Sequence, residues 1–328
     1  MDRRIIICIV IFIAASCNRQ DVDDGVVESI RFNTELIGTK ALIETDNDLM
    51  SEGNELTIFD IHTKEDGSVF QYMKDQKLRY SGGKWGFIDG EDNAITIPWT
   101  KQGQHHFLAY LSSYGSSDFS ISTYAPPAVG GVATDQVISI SDLMITQDNQ
   151  FDFMYANEVR DVENEGTGVI TLEMKHLFAS VDFQIRNMSG LSMTISSFTI
   201  GGMRVEGEAQ IGFSANPTLE LEDAPISNDF AISDKSITVS DPVSLYDGAF
   251  LIWPHKADHY KDIVCSITYK LDNTNSTTVS LNLTAANANI TSWDAGCRYL
   301  YTITISDIIL FDVVRVVDWI NNDVILQP

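Results

Sequence analysis

Ser180-Val181-Asp182-Phe183-Gln184-Ile185-Arg186 alternates polar and apolar residues without a break. Successive side chains of an extended chain point to opposite faces, so Val181, Phe183 and Ile185 form the buried side of a strand and Asp182, Gln184 and Arg186 its solvent side. The same period of two recurs outward along the chain. Ile30, Phe32 and Thr34 alternate with Arg31 and Asn33, and Val279, Leu281 and Leu283 with Ser280 and Asn282. Tyr299, Tyr301, Ile303 and Ile305 alternate with Leu300, Thr302 and Thr304. These runs are rich in β-branched and aromatic residues and are separated by turn signals such as Ser81-Gly82-Gly83, Asp89-Gly90, Asp247-Gly248 and Asp272-Asn273. There is no long amphipathic helical pattern and no strand–helix–strand rhythm. An all-β fold of sandwiches with antiparallel sheets is therefore expected.

A chain of 328 residues suits two sandwich-sized domains better than one. The acidic, glycine-containing stretch 160–168 interrupts the strand rhythm and sets the expected division, 29–165 for an N-terminal β-sandwich and 166–328 for a C-terminal one. Stretches 126–131 and 217–229 read as loops within the domains.

The first residues carry an address. Arg3 and Arg4 are followed by an apolar run over 5–15, too short to span a bilayer, and by Ala14, Ala15, Ser16 and Cys17. Residues 1–16 thus read as a lipoprotein signal peptide, cut between Ser16 and Cys17, with the Cys17 thiol taking the lipid; Ala14 stands where Leu is more usual. More than one acyl chain gives stable anchoring. Residues 17–28 form a short acidic tether, and nothing later is apolar for long enough to cross a membrane.

With 21 Lys and Arg against 46 Asp and Glu, the net charge is −25. Such a field repels phosphate backbones, and no basic, aromatic-interleaved stretch offsets it, so nucleic acid is not a partner. Cys265 and Cys297 lie in or beside strand patterns of one exported domain, a candidate disulfide pair. His255 and His259 have the spacing of two zinc ligands on a helix, but they follow Pro254 in a loop and lack the adjacent Glu. His105 and His106 precede an alternating strand and so face opposite sides. There is no phosphate loop, nucleophile elbow or catalytic Cys, and the abundant carboxylates define no pair. Neither a metal, a cofactor nor catalysis is expected. Trp85, Trp99, Trp253, Trp293 and Trp319 read as core or interface residues rather than sugar platforms.

The order of motifs resembles the fimbrillin family of Bacteroides-type pili, the type V pilus subunits and fimbrillin-like lipoproteins. The resemblance runs through Ile30 and Phe32, Thr39-Lys40-Ala41, Leu56-Thr57-Ile58-Phe59, Ile97-Pro98-Trp99 and His106-Phe107-Leu108-Ala109-Tyr110. It continues in Phe153-Met154-Tyr155-Ala156, the segment from Met174 to Asn187, Phe250-Leu251-Ile252-Trp253-Pro254, Trp293-Asp294-Ala295-Gly296, Tyr299-Leu300-Tyr301 and Val317-Asp318-Trp319. It implies two transthyretin-like sandwiches, a lipid-anchored precursor and an outer-membrane, cell-surface or fimbrial destination. It further implies cleavage after a basic residue near the N-terminus, loss of the first strand, and filling of the groove by another subunit's strand. Lys40, before Ala41, matches the position of the family's common Thr-Arg-Ala segment, with Lys in place of Arg. The exchanged strand is then 29–36, with Ile30, Phe32 and Thr34 on its buried face. The implied partners are other fimbrial subunits, the outer membrane through the lipid, and host or bacterial surface ligands. The runner-up is a surface glycan-binding lipoprotein, recognisable by two or three exposed aromatics on one face.

Overall fold

The structure is a computed structural model and describes residues 28–37, 49–112, 120–123, 138–148, 150, 152–213, 217–221, 230–237, 241–246, 249–272, 275–286, 290–306 and 309–318. Strands, numbered along the chain, make four sheets. The first has the order β1 (Phe32–Ile37), β9 (Ile170–His176), β8 (Phe153–Asp161), β5 (Gln104–Ser112), β2 (Glu55–Thr63), β3 (Val69–Ser81) and β4 (Lys84–Ile88). The second runs β13 (Thr218–Leu221), β12 (Glu206–Ile211), β7 (Ile138–Met144) and β6 (Ser120–Thr123). The third runs β15 (Val243–Ser244), β10 (Ala179–Asn187), β19 (Cys297–Ile305) and β20 (Ile309–Asp318), with β16 (Phe250–Ile252) also on β10. The fourth runs β14 (Phe230–Ile237), β11 (Met193–Gly201), β17 (Val264–Leu271) and β18 (Thr277–Asn282). Short helices α1 (Val162–Glu165), α2 (Ala257–Tyr260) and α3 (Leu283–Ala286) complete the described elements.

The all-β sandwich architecture is the one the alternation predicts. Pairing is antiparallel except at β1–β9 and β10–β19, which are parallel. In the C-terminal sandwich the third and fourth sheets face each other across one core. Val181, Phe183 and Ile185 of β10 and Tyr299, Tyr301 and Ile303 of β19 meet Ile195, Phe198 and Ile200 of β11 and Cys265 and Ile267 of β17 there. A second core lies between the first and second sheets, where Phe59, Leu108 and Phe153 meet Ile138, Ile140 and Ile211.

The division expected at 165/166 falls inside the first sheet. β9 pairs with both β1 and β8, and β12 pairs with β7, so strands that follow residue 166 complete sheets begun before it. The acidic stretch that suggested a linker is a capped turn. The Asp161 carboxylate accepts the N–H groups of Glu163 and Asn164 at the start of α1, and Gly166 closes the turn with φ of 75°.

Two segments stitch the cores together. Phe250 and Ile252 enter the C-terminal core while Leu251 and Trp253, alternating with them, enter the second one, and the bend at Leu177 and Phe178 lies in the second core just before Ala179 and Val181 enter the C-terminal one. Trp253 is fully buried and donates its indole N–H to Leu143 O at 3.1 Å. Gly207 lets β12 pass close to it, because a Cβ there would lie 3.1 Å from the Trp253 ring and 2.9 Å from Glu220 O.

Beside this joint His255 is buried with both ring nitrogens engaged. Nδ1–H donates to Trp253 O at 2.7 Å and Nε2 accepts the Arg204 N–H at 2.8 Å. Neither nitrogen is left to bind a metal, so the four-residue spacing to His259 has no ligand role; His259 itself sits in α2. Burial pushes the His255 imidazole down to about 4. A lowered histidine pKa means that the folded state refuses the proton: the stabilisation is intact above about 6.5 and is lost as pH falls toward 4, a total of about 3 kcal/mol. His255→Gln should therefore flatten the pH dependence of unfolding free energy between 4 and 6.5 by about one proton, measured by denaturant titration at several pH values. An unchanged slope would mean that His255 is not held neutral.

Candidate functional site

Strand β1 stands at one end of the seven-stranded order and β4 at the other, yet the two meet. The Trp85 indole N–H on β4 donates to the Thr34 hydroxyl on β1 at 2.9 Å, and the Phe32 ring packs edge-on against Phe87 with centroids 5.8 Å apart. The sheet is thus rolled around a third core, with Ile30, Phe32, Leu56, Ile58, Leu78, Trp85, Phe87 and Phe107 inside. This curl follows from the twist of strands and from the need to cover the apolar residues on the inner side of β2 and β5.

Alternation along β1 is strict. Ile30, Phe32 and Thr34 are 2%, 6% and 3% exposed, whereas Arg31, Asn33 and Glu35 face solvent. One edge of β1 forms a parallel ladder with β9, from Phe32↔Ile170 to Ile37↔Lys175. On the other side, just before β1, the chain is clamped where Ile30 N–H donates to Ile97 O at 2.8 Å and Trp99 N–H to Glu28 O at 3.0 Å. Among the described residues β1 meets β4 through side chains, Thr34 with Trp85 and Phe32 with Phe87.

The clamp at 97–99 is held in turn by a buried polar chain. Asp60 on β2 and His105 on β5 are fully buried, with Asp60 Oδ2 and His105 Nδ1 2.6 Å apart. With His105 Nδ1–H donating to the carboxylate, Nε2 accepts the Thr100 hydroxyl at 2.8 Å. Thr100 Oγ1 lies 3.0 Å from His62 Nε2, which also donates to Gln102 O at 2.8 Å. Burial pushes the Asp60 carboxyl up to about 6, against the opposing pull of the His105 hydrogen bond. Desolvation likewise lowers the His62 imidazole. Carboxylate, imidazole and hydroxyl stand in the order of a nucleophilic relay, but Thr100 Oγ1 is also 3.1 Å from Gln102 O. His105 Nε2 and Gln102 O are both acceptors for the one Thr100 proton, and the chain works as a structural plug at one end of the rolled sheet.

Reasoning from the sequence missed this plug. The available signal was position: Asp60 and His62 share the inner face of β2 with Ile58, and His105 shares that of β5 with Phe107, against which its ring stacks 5.5 Å away. His106 is on the opposite face from His105, as the alternation requires.

The remaining expected site residues are not brought together. Ser16, Cys17, Lys40 and Ala41 lie outside the described residues. Cys265, on β17, and Cys297, at the start of β19, belong to facing sheets and form no disulfide; burial pushes the Cys265 thiol strongly up. Trp85, Trp99, Trp253 and Trp293 are all buried, so none of them offers a face to a sugar; Trp319 lies outside the described residues. A cleft of about 430 Å³ lined by Leu219, Leu221, Pro254, Lys256 and His259 reaches Trp293, whose N–H is bound to Tyr301 OH at 2.7 Å. Among the described residues no group of three or more His, Cys, Asp or Glu converges on a metal site, and no helix is long and apolar enough to cross a membrane.

No curated protein matches the sequence. Among solved structures, the chain is similar to a fimbrial protein from Bacteroides vulgatus, at 12% identity and a TM-score of 0.56 over 88% of this chain and 99% of that one. It is also similar to a protein from Bacteroides ovatus ascribed to cell adhesion, at 13% identity and a TM-score of 0.51 over 90% of this chain and 99% of that one. At such identities the likeness is one of fold. The fimbrillin-like family model matches residues 39–319, which is most of the chain, and the protein belongs to that family.

Proposed function

We propose that the protein is a fimbrial subunit at the cell surface, assembled by strand exchange and serving adhesion. The precursor is anchored in the outer membrane through Cys17, is cut near Lys40 and Ala41, and gives up its first strand. A neighbouring subunit's strand then fills the groove. No catalytic step by this chain is part of that role. The observation that carries the reading is the packing of β1: one apolar face buried in the rolled sheet, one full ladder with β9, and an entry clamped at residues 28–30 by two backbone hydrogen bonds. Removing such a strand exposes the unpaired N–H and C=O groups of β9 and the apolar walls vacated by Ile30 and Phe32. An incoming strand restores both. Burial of those two side chains contributes roughly 1.5–3 kcal/mol each, enough to make the empty groove reactive toward a replacement.

Phe32→Ala should destabilise the intact monomer by about 3–5 kcal/mol, while Asn33→Ala stays within about 0.5 kcal/mol, as read by denaturant unfolding. Lys40→Ala should leave the monomer folded and anchored but unable to polymerise, checked by electron microscopy and by N-terminal sequencing of shed material. Fimbriae built from subunits with an uncut N-terminus would count against strand exchange at this segment and favour a non-polymerising surface lipoprotein.

A further inference from the structure

Within the groove that β1 fills, the side-chain demands differ by position. The Ile30 subsite is apolar and closed. The Phe32 subsite is aromatic, since the ring meets Phe87 edge-on and Phe107 at 5.3 Å and 87°. The Thr34 subsite presents a polar group, the buried indole N–H of Trp85, which donates to the Thr34 hydroxyl at 2.9 Å. An indole nitrogen is a donor and nothing else. Tyr80 packs edge-on against the same indole at 5.3 Å, so its environment is aromatic. When an aliphatic residue occupies the subsite, a desolvated N–H is left without an acceptor, which costs more than the hydrogen bond itself is worth.

We propose that Trp85 makes the groove select its strand by a hydroxyl, so that the occupant after exchange is a neighbouring subunit's strand with an apolar residue, Phe, and Ser or Thr at alternate positions. This rests on the strand-exchange reading above and names the partner for it. Register fixes the code, because pairing of Phe32 with Ile170 and of Thr34 with Leu172 leaves no freedom to slip without turning the apolar residues outward. Elsewhere in the chain, Val181-x-Phe183-x-Ile185 and Ile309-x-Phe311-x-Val313 repeat the first two demands and fail the third. The former is locked in the C-terminal core. The latter, on β20, fits the Ile30 and Phe32 subsites by sequence but brings Val to the indole. The groove thus disfavours this chain's own 309–313 segment and favours a strand from a different subunit, which gives the polymer an order.

The test has two arms. In the intact chain, Thr34→Val should shift the unfolding equilibrium about tenfold toward the unfolded state, Thr34→Ser should restore most of it, and the Thr34→Val effect should vanish in a Trp85→Phe background. Additive effects of the two substitutions would overturn the inference whatever the assembly mechanism. In the second arm, the full-length protein is treated with trypsin, the trypsin is fully inhibited, and fluorescent peptides covering 28–37, the same peptide with Thr34→Val or Thr34→Ser, and 307–316 are then added. The natural and Ser peptides should be retained at least about tenfold more tightly than the Val and 307–316 peptides. Equal retention of all four contradicts hydroxyl selection and leaves strand exchange standing. Retention of none contradicts strand exchange itself, and selection falls with it.

Discussion

A sheet rolled until its first and last strands face each other, without a hydrogen-bonded ladder between them, must close its interior by side chains. In this protein β1 does the closing. Ile30, Phe32 and Thr34 bridge from the β9 ladder to Trp85 and Phe87 of β4, and the core of the roll is apolar all the way to Phe107 on the central strand β5. Full closure by hydrogen bonds would remove the edge altogether. Closure by side chains leaves a strand whose ladder lies with β9 and whose apolar face is buried against β4 and the core of the roll. That dependence on side-chain closure sets the chemistry of the molecule.

The rest of the architecture concentrates rigidity elsewhere. Alternating residues of 250–253 and the adjacent pairs before and after residue 179 are divided between two cores, so the joint between sandwiches is built from Phe178, Leu251 and Trp253 rather than from a linker. His255 ties this joint to Arg204 through backbone hydrogen bonds. At the end of the roll, Asp60, His105, Thr100 and His62 fix the segment that clamps the entry of β1. Buried charge of this kind contributes little net stability, because desolvation offsets it, and here it fixes Asp60, His105 and Thr100 relative to one another. The first strand is therefore gripped at its beginning by an ordered clamp and held beyond it by one ladder and by apolar contact.

Much of this could be read from residue order, and the reason is periodicity. Faces of strands follow from a period of two, so the burial of Ile30, Phe32 and Thr34 and of Val181, Phe183 and Ile185 was legible. Which strands pair was not, because pairing depends on partners far along the chain. Asp60 and His105 are 45 residues apart, and nothing local in either strand announces the other. Composition misled where a short-range hydrogen bond overrode it: the acids at 160–168 look like a linker, and Asp161 turns them into a helix cap within a sheet. Likewise the His255 and His259 spacing suggests a ligand pair only until the backbone partners of His255 are known. Trp85 could be placed in the core, but its role as the donor to Thr34 needed the roll.

Amide hydrogen exchange on the intact monomer tests the central claim most directly, since it reads the free energy at which each segment opens. If β1 is a separable unit, amides of 32–37 and their ladder partners in 170–175 open together at a free energy well below that of β5 and β8, while the Ile30 and Trp99 amides of the clamp open with them. Exchange of β1 only through global unfolding, at the same free energy as β5 and β8, would show that the strand cannot leave a folded subunit and would contradict the account.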